Sequence, residues 1–133
     1  MPLVRIDLPA GKPAPYRAAL METVQSAMHA AFGVPLEERF QVVSEHGPGT
    51  LSIDPGYLGI ERSSEAIIVQ VTLNSGRDTA TKRRLYRTLA DSLHERIGLR
   101  RQDVVINFVE VERQDWSFGE GEAQLVKPDD PAA

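Results

Sequence analysis

The fold class predicted from this sequence is α+β: a duplicated β-α-β unit forming a four-stranded sheet with two helices on one face. Three observations predict it. Short apolar runs alternate as strands do, and each is followed by a helical apolar stripe that stops at a glycine. The two resulting units align at a constant offset of 65 without a gap. Val4 meets Val69, Leu8 meets Leu73, Gly11 meets Gly76, Leu20 meets Leu85, Met28 meets Leu93 and Gly33 meets Gly98. Only eight of the 43 pairs from Leu3/Ile68 to Glu45/Glu110 are identical, a thin signal alone. Strand faces, helix stripe, turn glycine and stop glycine falling together in register make it a duplication.

Taken in order, Leu3 to Leu8 is a strand, with Val4, Ile6 and Leu8 on one face and Arg5 and Asp7 on the other. Pro9 to Pro13 is a turn. Ala14 to Phe32 is a helix with its stripe at Tyr16, Leu20, Val24, Met28 and Phe32. Gly33 stops it, and Glu38 to Glu45 is the second strand. His46 to Ser64, rich in glycine and proline, is a long connection with room for one short hairpin. The pattern then returns as a strand over Ala66–Leu73, a turn over Asn74–Asp78, a helix over Thr79–Ile97 stopped by Gly98, and a strand over Asp103–Val111. One domain over 2–126 is expected, with repeat units at about 2–45 and 67–110 and a C-terminal hairpin at about 112–126. The Pro- and Asp-rich tail, 127–133, is expected to be flexible. A right-handed crossover is expected in each unit.

The chain has 133 residues, 41% hydrophobic and 26% charged, enough to bury a core without staples. A net charge of -4 argues against general nucleic-acid binding, so an anionic ligand needs a local cluster of Arg or Lys. The absence of cysteine excludes disulfides, thiol nucleophiles and cysteine metal sites. No metal set or phosphate-binding glycine loop is visible, and no cofactor is expected. No apolar run reaches the ~18 residues of a membrane span. Arg5 and Asp7 interrupt the early apolar stretch, so no signal peptide is read and a cytoplasmic protein is the default.

Pro2 follows the initiator methionine directly and opens the first strand. With Met1 removed, its ring nitrogen becomes a secondary amine. A terminal amine has a reference pKa of about 7.7–8.0, so modest shifts choose between base and acid near neutrality.

A strand beginning at Pro2, a Gly-basic turn and a fused β-α-β duplicate resemble the tautomerase superfamily. Phe32-Gly33-Val34-Pro35, Glu38-Arg39-Phe40-Gln41, Val43-Ser44-Glu45-His46-Gly47-Pro48-Gly49 and Asp115-Trp116-Ser117-Phe118-Gly119-Glu120-Gly121 resemble its malonate semialdehyde decarboxylase branch. The resemblance covers about residues 2–126. It implies a homotrimer, built on the mixed outer sheet face of Leu3, Arg5, Asp7, Ile68, Gln70 and Thr72. It also implies an enzyme using Pro2 on a small 2-oxo or 3-oxo carboxylic acid by keto–enol tautomerisation, with decarboxylation or hydration as further reactions. By the same resemblance, Glu38 matches an acidic residue that assists water or proton handling. Arg77 matches one of two arginines that hold the substrate carboxylate. The second arginine falls near Asn74 or Ser75 and is missing, a loss that weakens an anion clamp. Arg39 is a possible replacement or a surface residue. Trp116 and Phe118 either wall the pocket or pack a C-terminal hairpin.

In the second unit Ile67 stands where Pro2 stands, so one amine site per chain is the maximum. His29 and His94 are repeat-equivalent and read as structural; His46 reads as a loop residue. The alternative reading is a non-catalytic, ferredoxin-like small-molecule-binding oligomer, since β-α-β-β-α-β is also that order. RNA binding lacks the exposed strand aromatics that stack bases.

Overall fold

A computed structural model describes residues 2–128. Strand β1 (Leu3–Pro9) leads into helix α1 (Ala14–Phe32) and strand β2 (Gln41–His46). Strand β3 (Ile67–Asn74), helix α2 (Thr79–Ile97) and strand β4 (Val104–Val111) repeat the order. The two helices begin and end 65 residues apart, as the repeat predicts. Both end on a left-handed glycine, Gly33 at φ 71° and Gly98 at φ 69°, a conformation that carries little steric cost only without a Cβ. His29 Nδ1 lies 2.9 Å from the Val34 carbonyl and His94 Nδ1 lies 3.2 Å from that of Leu99. The two histidines are therefore matched helix-end braces, in accord with their structural reading.

The sheet order is β2-β1-β3-β4. Each unit pairs its own strands in parallel, Val4 with Gln41 and Ile67 with Val104. The units join through the antiparallel pair β1/β3, in which Arg5 lies opposite Gln70. Those two are repeat counterparts, so a pseudo-twofold axis passes between them. The inward residues Val4, Ile6, Leu8, Val69, Val71 and Leu73 are all at most 1% exposed. They form one core with Leu20, Val24 and Met28 of α1 and Leu85, Leu89 and Leu93 of α2. The opposite face carries Arg5, Asp7, Gln70 and Thr72 as expected.

Three expectations are corrected. The connection over 47–66 contains a 3-10 turn at Tyr57–Gly59 and no strand, so the short hairpin there does not form. The segment at about 112–126 is not a hairpin either: it holds a 3-10 turn at Arg113–Asp115 and further turns, with Glu120 at φ 60° and Gly119 at φ 133° breaking any extended run. His46 is the last residue of β2 rather than a loop residue, and its Nε2 lies 2.6 Å from Asp7 Oδ1. Of the tail, 129–133 lie outside the described residues, as does Met1. No helix of the described residues is long and apolar enough to cross a membrane, and none of their His, Cys, Asp and Glu groups could hold a metal ion.

The repeat counterparts Glu38 and Asp103 have diverged. Asp103 is 1% exposed and accepts hydrogen bonds from Ser63 N at 2.7 Å and Ser63 Oγ at 2.6 Å, with Arg100 at 3.9 Å. Glu38 is half-buried, and its carboxylate makes no hydrogen bond or ion pair among the described residues. A structural role shared by both units is thus excluded. Asp103→Ala should cost about 1–3 kcal/mol in urea unfolding by leaving the half-buried Ser63 donors unpaired, whereas Glu38→Ala should leave the midpoint within error. Equal losses would contradict the divergence.

Candidate active site

The antiparallel register decides what surrounds Pro2. Leu3 pairs with Thr72, so one step outward sets buried Pro2 across from Leu73. On its other side Val4 N donates to the Phe40 carbonyl at 2.9 Å, which brings the 38–40 segment alongside. The start of β1 therefore sits between the approach to β2 and the exit of β3. Each helix runs back along its sheet, so α1 ends and α2 begins at this same end.

Arg77 enters from the second unit, immediately before the Asp78 cap of α2. It is half-buried. Its guanidinium stacks over the Phe32 ring, 4.6 Å from the centroid, and Nη1 lies 3.5 Å from the Asn74 carbonyl. The stacking is worth about 0.5–1 kcal/mol and fixes the cation without neutralising it. No carboxylate pairs with Arg77 among the described residues. Its counterpart Lys12 is different: it is ion-paired with Glu65, and the hydrogen bond it donates to that carboxylate pushes the Lys12 pKa up. Of the two counterpart cations, only Arg77 is available to an anionic ligand.

The last segment closes the end of the sheet. Trp116 Nε1 donates to Asn74 Oδ1 at 2.7 Å, beside β3. Trp116 stacks on Phe118 at 5.2 Å and 11°, and Phe118 packs on Phe40 at 5.5 Å, beside β2. Between those anchors the chain crosses the strand that starts at Pro2. Gln124 holds the crossing in place: its Oε1 accepts from Phe118 N at 2.9 Å and its Nε2 donates to the Gly119 carbonyl at 2.7 Å. Aromatic rings placed in this way limit the access of water to groups beside them.

Pro2, Glu38, Arg77, Asn74, Trp116 and Phe118 are thus gathered at one end of the sheet. Ser75 is at the same end, but its hydroxyl donates to Glu112 at 2.7 Å and is spent there. Arg39 does not fill the place of a second arginine: its Nη1 and Nη2 engage the Glu22 carboxylate at 2.7 and 3.2 Å on α1. That bidentate pair raises the Arg39 pKa and lowers that of Glu22, through the hydrogen bonds first. Sequence reading missed Phe40 as part of the wall and Phe32 as the platform of Arg77. Both lie in the quoted motifs, but which aromatic meets which depends on strand order.

What this end of the sheet can do chemically is hold one carboxylate on Arg77 and orient a carbonyl compound under an aromatic cover. Two sequence models described as tautomerase enzymes match the chain, over residues 38–119 and 2–59. The chain is 35% identical over 127 residues to the probable tautomerase YusQ of Bacillus subtilis (strain 168), covering 96% of this chain and 100% of that protein. A crystal structure of malonate semialdehyde decarboxylase superposes with a TM-score of 0.86 at 34% identity, over 92% of this chain and 95% of that one. A fused 4-OT trimer superposes at 0.74 with 21% identity, over 90% and 94% of the two chains, a likeness of fold. The duplicated β-α-β sheet and the near-complete coverage agree, and the chain belongs to the tautomerase superfamily, in its malonate semialdehyde decarboxylase-like branch.

Proposed function

We propose that this chain is an amino-terminal-proline enzyme that moves a proton between carbon and oxygen of a small 2-oxo or 3-oxo acid. The observation that carries the reading is the burial of Pro2 at the sheet end, between the segments of Phe40 and Asn74, where Arg77 has no carboxylate partner among the described residues. With Met1 removed, the Pro2 amine in its neutral form takes the proton from carbon next to the carbonyl. Arg77 holds the substrate carboxylate or the developing enolate oxygen, and the Asn74 amide, turned by Trp116, adds neutral hydrogen-bond donors. Glu38 assists water or proton handling. In its protonated form Pro2 acts as an acid, which opens hydration and decarboxylation. The malonate semialdehyde decarboxylase it resembles is described with both decarboxylase and hydratase activities. With one cation in the clamp, decarboxylation of a 3-oxo acid should be slower than in two-arginine relatives. The alternative of a non-catalytic ferredoxin-like module has nothing further in its favour.

A carboxylate near an amine favours its charged form, while a cation and an aromatic cover disfavour it. The rate of enol–keto conversion of a phenylpyruvate-like enol should rise with pH as Pro2 loses its proton. Intact mass shows whether Met1 is gone. Blocking the amine, by retained methionine or alkylation, should abolish the activity, and Pro2→Ala should reduce it without abolishing it. Full activity with a blocked amine rejects the reading.

Arg77→Ala should lower kcat/KM about 10- to 100-fold, the equivalent of one charge-assisted hydrogen bond, with both KM raised and kcat lowered. Wild-type kinetics in that variant remove Arg77 from the site.

Assembly follows from the unpartnered mixed face of the sheet, and the fused 4-OT of like fold is described as a symmetric trimer. Sedimentation at micromolar concentration should give three times the 14.7 kDa chain mass. A monomer mass would count against it.

A further inference from the structure

The two units of the repeat serve as an internal control, because they share a backbone plan and only one carries Pro2. They differ at the seam between the helix and the connection to the next strand. In the first unit Gln25 is 3% exposed, and its Nε2 faces three carbonyls, those of Pro35 and Leu36 at 3.2 Å each and Glu38 at 2.9 Å. The neighbouring turn of α1 adds the Glu22–Arg39 pair and a bond from Gln41 Nε2 to the Met21 carbonyl at 3.0 Å. At the counterpart positions the second unit has Ala90 for Gln25, Arg87 for Glu22, Val104 for Arg39 and Ile106 for Gln41. Its seam is an open groove of about 450 Å³ lined by those four residues among others. The second helix, connection and strand fold without the clamp, so the fold itself does not require a buried amide there.

Burying a primary amide is costly unless its donors are used. Here they are used on the one connection that carries Glu38. We propose that Gln25 is a positioning residue, which clamps the 35–38 connection so that Glu38 is held at the Pro2 end of the sheet. This rests on the proposed role of Glu38. Among the described residues, the charged groups on the segments at that end are Glu37, Glu38 and Arg39 from the connection, Arg77, Asp78 and Arg84 from the start of α2, and Glu112, Arg113 and Asp115 from the last segment. Arg39 is bound to Glu22, Asp78 accepts from Thr81 N, Glu112 accepts from Ser75 and Asp115 accepts from Glu112 N. Of these, Glu38 and Arg77 are the two proposed to act on Pro2.

The test compares Gln25→Met, which keeps length and loses the donors, with Glu38→Gln and the double variant, using the enol–keto rate against pH. Gln25→Met should lower kcat about 10-fold with KM within about twofold. Its rising limb should move to lower pH, in the same sense as that of Glu38→Gln, because a displaced carboxylate no longer favours the charged amine. The double variant should be no slower than Glu38→Gln alone. If Gln25→Met does not fold, Gln25→Asn, an amide one methylene short, carries the same comparison. A slower enzyme with an unmoved limb and additive losses overturns the positioning role and leaves Glu38 in place. Wild-type rate and limb in Glu38→Gln overturn the role of Glu38 and this inference with it, while the blocked-amine result still judges Pro2.

Discussion

The antiparallel pairing of β1 with β3, centred on Arg5 opposite Gln70, is the constraint on which the rest depends. It joins two copies of one unit head to tail about an axis, so each end of the sheet receives the start of one copy's first strand and the end of the other's. Pro2 therefore meets the turn and helix entrance of the second unit, and neither unit alone would hold both Pro2 and Arg77. The same axis sends Ile67 to the opposite end, six residues along β1, roughly 20 Å away at strand rise.

Duplication gave the chain two equivalent ends, and substitution has since made them unlike. At the Ile67 end the charges cancel within the protein: Lys12 binds Glu65, and Asp103 is saturated by Ser63. Such pairing favours rigidity, because each polar group already has its partner and a ligand would have to displace it. At the Pro2 end the acid and the cation are left without each other. An aromatic wall is added there, and it is tied to β3 through the bond from Trp116 to Asn74.

Much of the fold was legible in the sequence because the duplication doubles every signal. Gly33 and Gly98 each mark a helix end, and agreement between them is stronger than either alone. The matched histidines also read correctly, since a role common to both units cannot belong to a site found in one. Contacts made across the chain were not legible. Trp116 and Phe118 alternate as strand residues do, and only the positive φ of Gly119 and Glu120 shows why the segment turns instead of pairing. Arg39 looked free because its partner, Glu22, lies 17 residues back on the outer flank of α1. Gln25 sat beside an apolar stripe with nothing in its spacing to separate a buried amide from a solvated one. Its mismatch with Ala90 in the aligned repeat was the one available signal.

The aromatic cover has a consequence for how the chain matures. Pro2 emerges from the ribosome among the first residues, while Trp116 and Phe118 emerge more than a hundred residues later. At about 5–20 residues per second, that interval is on the order of ten seconds. A peptidase that cuts after Met1 needs an extended, uncovered terminus, whereas Pro2 is buried in the finished sheet. On the proposed reading, in which Met1 is removed, the amine is generated within that interval, before Trp116 and Phe118 are in place, and the order of synthesis becomes part of how such a site is made.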